Sequence, residues 1–250
     1  MTYSIVARDP RTGAFGVAVA SRFFAVGALV PHMHGQAGAI ATQAFVSPLY
    51  GTDGLDMLKS GHDAQTVMET VTGRDAGSHS RQMHVIDADG RNAAFTGEKC
   101  VDWAGHLVAE NVSVAGNMLA GPQVLEATLA AYQDGAELDL AERLLRAMEA
   151  GEAAGGDKRG KQSAALRITH GEAYPWLDIR ADDHGDPLAE LRRLLAVAGE
   201  RFLHVAETLP TADNVSGLLD RSHIDLKIAE LEAERKAQGR SSASLATPPL

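Results

Sequence analysis

The sequence predicts an α+β fold in which antiparallel sheets carry helix pairs on their outer faces. Segments with strand-like and helical patterns follow the order strands, two helices, strands, two helices, strands, helix. Elements grouped in this way favour layered packing over alternating βαβ units. The composition agrees, because 45% hydrophobic and 22% charged residues are ordinary values for a globular chain with a sizeable core.

The chain opens with a predicted β-hairpin. Residues 3–7 and 14–20 are rich in β-forming residues and flank Asp-Pro and Thr-Gly steps, which are typical of turns. In the second strand large and small side chains alternate, so its small face is flat enough for close approach of a backbone or a ligand. The other predicted strands are residues 36–44, residues 82–88 and 92–96 joined by an Asp-Gly turn, strand material over 103–119, and residues 163–169 and 176–180.

Helical spacing of apolar residues predicts the helices. Asp63 is placed to cap the helix that it precedes, and Gly73 and Gly151 are placed to end helices. The predicted helices are residues 52–60, 63–72, 122–133 and 138–150, a long helix over 187–209, and a charged helix over 223–238. We therefore expect one domain over residues 1–209, followed by a helical arm and a frayed tail over residues 210–250.

The composition also restricts partners and location. The formal net charge of -10 disfavours nucleic-acid binding. The apolar runs are much shorter than the roughly 20 residues that a membrane span needs, and the first residues lack the features of a secretion signal. The single Cys100 cannot form an intrachain disulfide and is more typical of a buried apolar residue than of a nucleophile. We expect a cytoplasmic protein without nucleic-acid or membrane partners.

The amino terminus carries the main candidate for catalysis. After removal of Met1, Thr2 would begin a strand with a free α-amine beside its own hydroxyl. An α-amine titrates at about 7.7–8.0, so a fraction is neutral at pH 7 and can accept the hydroxyl proton. Threonine with its own amine is a known activated nucleophile. Because many unrelated chains begin with Met-Thr, these residues alone leave the role of Thr2 open.

A glycine-rich loop supplies the second group of candidates. Gly155 and Gly156 give the backbone freedom next to Asp157, which is followed by basic residues and a strand. An acid among bases stays ionised and can orient an amine or a hydroxyl, whereas the alternative is a solvated turn. Lys158 and Gln162 of this loop are candidate binding residues.

Two pairs of residues complete the candidate set. Gly116 and Asn117 precede a helix start and could present backbone N–H groups to an oxyanion, with a tight turn as the alternative. His32 and His34 could share one face of a strand and bind a ligand or a metal. Since no third ligand with fixed spacing accompanies them, we expect neither a metal nor a cofactor, and metal-assisted hydrolysis stays a third alternative.

Six blocks of sequence resemble the bacterial family called domain of unknown function 1028, and the resemblance runs from Thr2 to about residue 195. The blocks, in one-letter code, are TYSIVARD at residues 2–9, GVAVAS at 16–21, ATQA at 41–44, AFTG at 94–97, GNMLAG at 116–121 and GGDKRGKQSAA at 155–165. That family is similar to the N-terminal nucleophile hydrolases, which include proteasome β-subunits, penicillin acylases and glycosylasparaginases.

The resemblance implies a four-layer αββα sandwich in which Thr2 is the nucleophile and Asp157 positions its amine. It also places Gly116 and Asn117 near the nucleophile. The lysine that proteasome-type subunits carry about thirty residues after the nucleophile is replaced here by a stretch with two histidines. Either a histidine substitutes for it, or the chain is not a hydrolase of that kind.

These observations lead to a functional hypothesis and a prediction of assembly. The hypothesis is hydrolysis of a small amide or ureido compound by Thr2, and the alternative is a noncatalytic small-molecule-binding protein with the same fold. The narrow apolar stripe of Ile224, Ile228 and Leu231 on the C-terminal helix needs an apolar surface to pack against. We expect a homodimer with this helix at or near the interface, and the alternative is the helix folded back on its own subunit.

Overall fold

The structure is a computed structural model that describes residues 2–246. Met1 and residues 247–250, which include the end of the predicted frayed tail, lie outside the described residues. The chain divides into two compact units, Met1–Leu188 and Ala189–Leu250. The sequence placed a division at residue 209, because a single helix was expected to close the first domain.

A six-stranded antiparallel sheet contains the amino terminus. Numbered in chain order over the whole molecule, its strands are β1 Thr2–Arg8, β2 Phe15–Ser21, β7 Trp103–Ala109, β8 Val112–Leu119, β9 Ser163–Thr169 and β10 Pro175–Ala181. The strand order is β10-β9-β2-β1-β8-β7, so the opening hairpin lies at the centre of the sheet, as an antiparallel pair. Thr2 is opposite Ser21 of β2 and Asn117 of β8.

A four-stranded antiparallel sheet faces the first one. Its strands are β3 Pro31–His34, β4 Gly38–Ala44, β5 Arg81–Asp87 and β6 Asn92–Thr96, in the order β3-β4-β5-β6. The predicted hairpin through the Asp-Gly turn is confirmed, because β5 and β6 pair antiparallel. The short strand β3 was not among the predicted strands, although His32 and His34, which both belong to it, were expected to share one face if a strand formed there.

Each sheet carries a pair of helices. Helices α1 (Pro48–Lys59) and α2 (Ala64–Gly73) pack on the four-stranded sheet, while α3 (Gln123–Asp134) and α4 (Leu140–Ala153) pack on the six-stranded sheet. Helix α1 begins earlier than predicted because Pro48 occupies its first turn. Asp63 caps α2 as predicted, since its Oδ1 accepts a hydrogen bond from the Thr66 N–H at 2.7 Å.

The prediction that Gly151 ends a helix is wrong. Gly151 is buried inside α4, where a Cβ would clash with the hydroxyl of Thr128 on α3 and approach the ring of Tyr3. The glycine is therefore explained by close packing of α4 against α3 and β1. Helix α4 ends at Ala153.

The two faces of β2 pack against different layers. Phe15, Val17 and Val19 belong to an apolar cluster shared with the facing sheet, and burial of each such side chain contributes about 1.5–3 kcal/mol. On the other face, a Cβ at Gly16 would clash with Leu144 of α4. The small face predicted to admit a backbone or ligand is thus covered by helix α4.

The second unit contains helices. They are α5 (Pro187–Val197), a π-helical segment Ala198–Phe202, α6 (Leu203–Ala206) and α7 (Ser222–Ala237). The prediction of one uninterrupted helix over residues 187–209 is wrong, because the π-helical segment interrupts the helix and α6 ends at Ala206. Helix α7 packs against the π-helical segment and α6, with Ile224 and Ile228 buried. Within the described part of the chain, no helix is long and apolar enough to span a membrane.

Candidate active site at the amino end of strand β1

The predicted nucleophile lies at the start of the central strand of the larger sheet. Thr2 Oγ1 is 3.1 Å from the Ser21 Oγ of β2, and the Asn117 side-chain amide of β8 donates to the Thr2 carbonyl at 3.5 Å. Thr2 is 7% exposed. The structure thus brings together Thr2 and Asn117, and it adds Ser21, which the sequence did not single out.

The Asp157 loop reaches the same end of the sheet. Asp157 pairs with Leu119 at the end of β8 through an isolated bridge, and its side chain is 2% exposed. Its Oδ2 accepts from the Arg22 N–H at 3.0 Å, and its Oδ1 accepts from the Arg159 N–H at 2.7 Å. Asp157 therefore links the ends of β2 and β8, the two neighbours of β1: its carboxylate bonds to the residue after β2 and its backbone pairs with the end of β8.

Lys158 and Gln162 extend this loop in two directions. Lys158 Nζ forms an ion pair with Asp102 Oδ2 at 2.5 Å, ahead of β7. The Gln162 backbone N–H donates to the Ser21 carbonyl at 2.9 Å, and its side-chain amide donates to Asp183 at 3.0 Å. Gln162 consequently lies next to the Thr2–Ser21 pair, whereas Lys158 connects its own loop to the segment before β7.

Gly116 and Asn117 lie inside strand β8 rather than in a turn before a helix. Gly116 is opposite Tyr3 of β1, and its carbonyl accepts a hydrogen bond from the Gln82 side chain at 2.9 Å. The tight-turn alternative for these two residues is therefore wrong. The group that Asn117 directs at Thr2 is its side-chain amide.

His32 and His34 lie on β3, an edge strand of the smaller sheet, away from β1. His32 Nε2 is 3.2 Å from the Leu29 carbonyl, and His34 Nδ1 accepts from the Gln36 N–H at 3.3 Å. Burial lowers the pKa of His32. Among residues 2–246, no group of three or more His, Cys, Asp or Glu residues is placed to hold a metal ion.

A buried histidine between the two sheets is held by two serines. Ser4 Oγ donates to Gln43 Oε1 at 2.6 Å, and the same oxygen is 2.8 Å from His84 Nε2. Because the only Ser4 hydroxyl proton is used on Gln43, His84 Nε2 carries a proton and donates to Ser4. Its Nδ1 then accepts from Ser113 Oγ at 2.7 Å. Burial lowers the pKa of His84 to about 3, so the ring is neutral at pH 7.

Gln82 connects this histidine to the amino end of β1. Its Oε1 accepts from the Gln43 side chain at 2.8 Å and from the Asn117 side chain at 3.1 Å. Its Nε2 donates to the Gly116 carbonyl and to Thr96 Oγ1, at 2.9 and 2.8 Å. A continuous hydrogen-bonded path, the polar network, therefore runs from Ser113 through His84, Ser4, Gln43, Gln82 and Asn117 to Thr2.

Asn117 also borders a pocket of about 380 Å³. Its lining consists of Ala44, Phe45, Ser80, Lys99, Cys100, Val101, Asn117 and Met118. Phe45 and Val101 are exposed, at 71% and 60%. Burial raises the pKa of the Cys100 thiol, which argues against a nucleophilic thiolate. The pocket thus offers apolar walls and the Lys99 ammonium beside the end of the polar network.

The backbone at the pocket is strained. Ala44 and Met118 both line it and both have left-handed conformations, with φ of 66° and 56°. Non-glycine residues in this region cost of order 1–3 kcal/mol and cluster at functional sites. The strain marks this end of the sheets as a candidate functional site, independently of the hydrogen bonds.

Comparisons with known proteins give a family and no activity. None of the curated proteins matches the chain. A solved structure, that of protein SPO2555 from Silicibacter pomeroyi, is 34% identical and superposes with a TM-score of 0.81, covering 88% of this chain and 96% of the other. The model of a family of unknown function (DUF1028) matches residues 2–191 of this chain. The solved structure is described as a member of that same family. With most of its length matched by that model, the chain belongs to the DUF1028 family.

Proposed function

We propose that this protein hydrolyses a small amide or ureido compound with Thr2 as the nucleophile, once Met1 has been removed. The observation that carries the proposal is the position of Thr2. It begins the central strand, and its neighbour Asn117 both donates to its carbonyl and lines the 380 Å³ pocket. A substrate carbonyl in that pocket would lie beside Asn117, the neighbour of the residue expected to attack it.

The proposed reaction has two halves. Thr2 Oγ1 attacks the substrate carbonyl while the freed α-amine accepts the hydroxyl proton and passes it to the departing nitrogen. The C–N bond breaks and leaves an ester on Thr2. Water, deprotonated by the same amine, then hydrolyses that ester and restores the hydroxyl.

Three neighbours have supporting roles in this proposal. Asn117 Nδ2 is a candidate donor to the oxyanion if it exchanges its long 3.5 Å bond to the Thr2 carbonyl for one to the substrate; such donors are worth about 2.7–4 kcal/mol in the transition state. Ser21 Oγ, at 3.1 Å, orients the Thr2 hydroxyl. Asp157 braces the strand ends on either side of Thr2, through its carboxylate bond to the Arg22 N–H after β2 and its backbone bridge to Leu119 of β8.

A relationship to the N-terminal nucleophile hydrolases is part of the same proposal. The packing of one helix pair on each sheet, with the sheets facing each other, supports the four-layer αββα arrangement. Since His32 and His34 bond within their own part of the smaller sheet, we assign activation of the nucleophile to the α-amine and not to a histidine.

The test combines mass spectrometry with turnover. Intact mass of protein from the native host should show loss of Met1. Wild-type protein should then release amine from one or more members of a panel of short amides, ureido compounds and dipeptides, and Thr2→Ala should lose at least about a thousandfold in rate, as expected when a nucleophile is removed. Retained Met1, or equal rates in the two proteins, would exclude the mechanism.

A noncatalytic binding protein is the second candidate. It is favoured by the small exposure of Thr2 and the tie of its hydroxyl to Ser21, while the pocket beside it is open to ligands. This candidate predicts saturable binding of a panel compound with equal affinity in wild type and Thr2→Ala, without release of amine.

We propose further that the protein is cytoplasmic and forms a homodimer. A single half-buried cysteine fits a reducing compartment. Because Ile224 and Ile228 are already buried in the chain, the support for a dimer is the exposed apolar side chains Val215, Leu219 and Leu226 of the second unit, at 81%, 83% and 65%. Light scattering of the full chain and of a chain ending at Pro210 tests this, and a full-length monomer would refute it.

A further inference from the structure

A second pocket lies where strand β1 ends, about 20 Å along the strand from Thr2 at ~3.3 Å per residue. Its volume is about 260 Å³. It is lined by Arg8, Pro10, Glu110, Asn111, Tyr132 and Arg143. All of these residues belong to the first compact unit, and none of them takes part in the proposed hydrolysis.

Arg143 of α4 is held in one orientation. Its guanidinium carbon lies 3.6 Å from the centre of the Tyr132 ring, and its Nε donates to the Tyr132 carbonyl at 2.5 Å. Within residues 2–246 its two terminal nitrogens have no protein acceptor. A stacked guanidinium with its terminal fork unused is preorganised to bind an oxyanion with two hydrogen bonds.

Arg8 and Tyr132 add donors without partners. Arg8 Nε and the Tyr132 hydroxyl are both buried, and neither has a hydrogen-bond partner in the described part of the chain. Tyr132 is 2% exposed, and burial raises its pKa to about 12, so the phenol is protonated and able to donate. Because a buried donor without a partner destabilises the folded chain, two of them together call for an acceptor.

The acids near this pocket do not neutralise the two arginines. Asp9 is already bound by Arg11, whose Nε and Nη2 lie 3.2 and 3.1 Å from its two carboxylate oxygens. Glu110 lines the pocket and is exposed, and among residues 2–246 it forms no ion pair with Arg8 or Arg143. The pocket therefore has two cations against one carboxylate.

We propose that this pocket, formed by Arg8, Arg143 and Tyr132, binds the oxyanion group of a small molecule, either a phosphate or a carboxylate. The site is separate from the Thr2 end of the sheet, so the proposal stands whether or not the protein is a hydrolase. The excess of positive charge in this pocket contrasts with the formal net charge of -10 of the whole chain.

Titration calorimetry of the full chain with inorganic phosphate and, separately, with acetate tests the proposal at constant ionic strength. We expect saturable binding of at least one of the two anions, and the tighter one identifies the group. Arg143→Met and Arg8→Gln should each weaken that binding at least about tenfold, since a charge-assisted hydrogen bond is worth about 1.5–3 kcal/mol. Glu110→Gln should tighten it.

The matched control is Arg146→Gln, which makes the same change of charge on the same helix. Arg146 forms its ion pair with Glu142 and does not line the pocket, so this variant should bind like wild type. Circular dichroism confirms that each variant is folded, and Glu110→Gln serves as the informative variant if an arginine variant does not fold. No saturable binding of either anion by wild type, or equal affinity in wild type and both arginine variants, would overturn the proposal.

Discussion

Acidification from pH 7 should lower the stability of the folded protein, and His84 should be a main cause. Burial lowers its pKa from 6.5 to about 3 in the folded chain. Below pH 6.5 the unfolded chain takes up a proton on this histidine and the folded chain does not. The contribution of neutral His84 to stability is thus complete above pH 6.5 and is lost progressively as the pH falls toward 3.

The size of the effect follows from the difference in pKa. One pH unit in this window corresponds to about 1.4 kcal/mol. Between pH 7.0 and pH 4.5 the free energy of unfolding should therefore fall by about 2.5 kcal/mol through His84 alone. Burial lowers the pKa of His32 and His106 as well, so the whole protein should lose more than this.

Urea denaturation between pH 7.0 and 4.5, followed by tryptophan fluorescence, measures the effect. His84→Gln keeps a neutral polar side chain and removes the titration, so its stability at pH 7 should be lower but should depend less on pH. The exposed His62→Gln is the control and should keep the wild-type dependence. If His84→Gln and wild type lose stability in parallel, the assignment of a neutral, buried His84 is wrong.

Three substitutions test packing and binding elsewhere in the first unit. Gly38→Ala should lower the free energy of unfolding, measured by urea denaturation, by at least about 2 kcal/mol, because φ is 148° and a Cβ would clash with the Ile86 carbonyl. The control Gly73→Ala has open space around the new Cβ and should be neutral or slightly stabilising. Tyr3→Phe should cost about 1 kcal/mol in the same assay, since the phenol donates to the Met148 carbonyl at 2.9 Å. Lys99→Gln should raise KM about tenfold for substrates with a carboxylate and leave neutral ones unchanged in steady-state kinetics, and equal effects on both would contradict the pocket assignment.

The strands were predicted best where local signals and tertiary packing agree. Residues 92–96 and 163–169 are strands over the predicted bounds, because both are apolar runs flanked by turn residues. Strand β3 was missed since it has only four residues, begins with a proline and alternates two histidines with Met33. Gly151 was misread because the sequence does not reveal that a neighbouring helix and strand occupy the space of its absent side chain.

The candidate site was only partly predictable, for a physical reason. Thr2 and Asp157 stand out through local chemistry, but the polar network has no local pattern. Ser4 is 39 residues from Gln43 and 80 from His84, and the three are buried polar residues on three different strands. The available signal was polar residues scattered over several apolar or buried strands, and only the packing of the two sheets brings these residues together.

The interior between the sheets changes character along β1, and this change favours the amino end as the place of chemistry. Toward Arg8, Val6 packs with Phe15 and Val17 in an apolar cluster, and toward Thr2 the same interior is filled by the polar network. Apolar side chains would stabilise both ends, whereas a buried hydrogen bond adds only about 0.5–1.5 kcal/mol and leaves a penalty if one partner is lost. Stability alone therefore gives no reason to place the network there. Orientation of the Asn117 amide beside Thr2 and the pocket gives one.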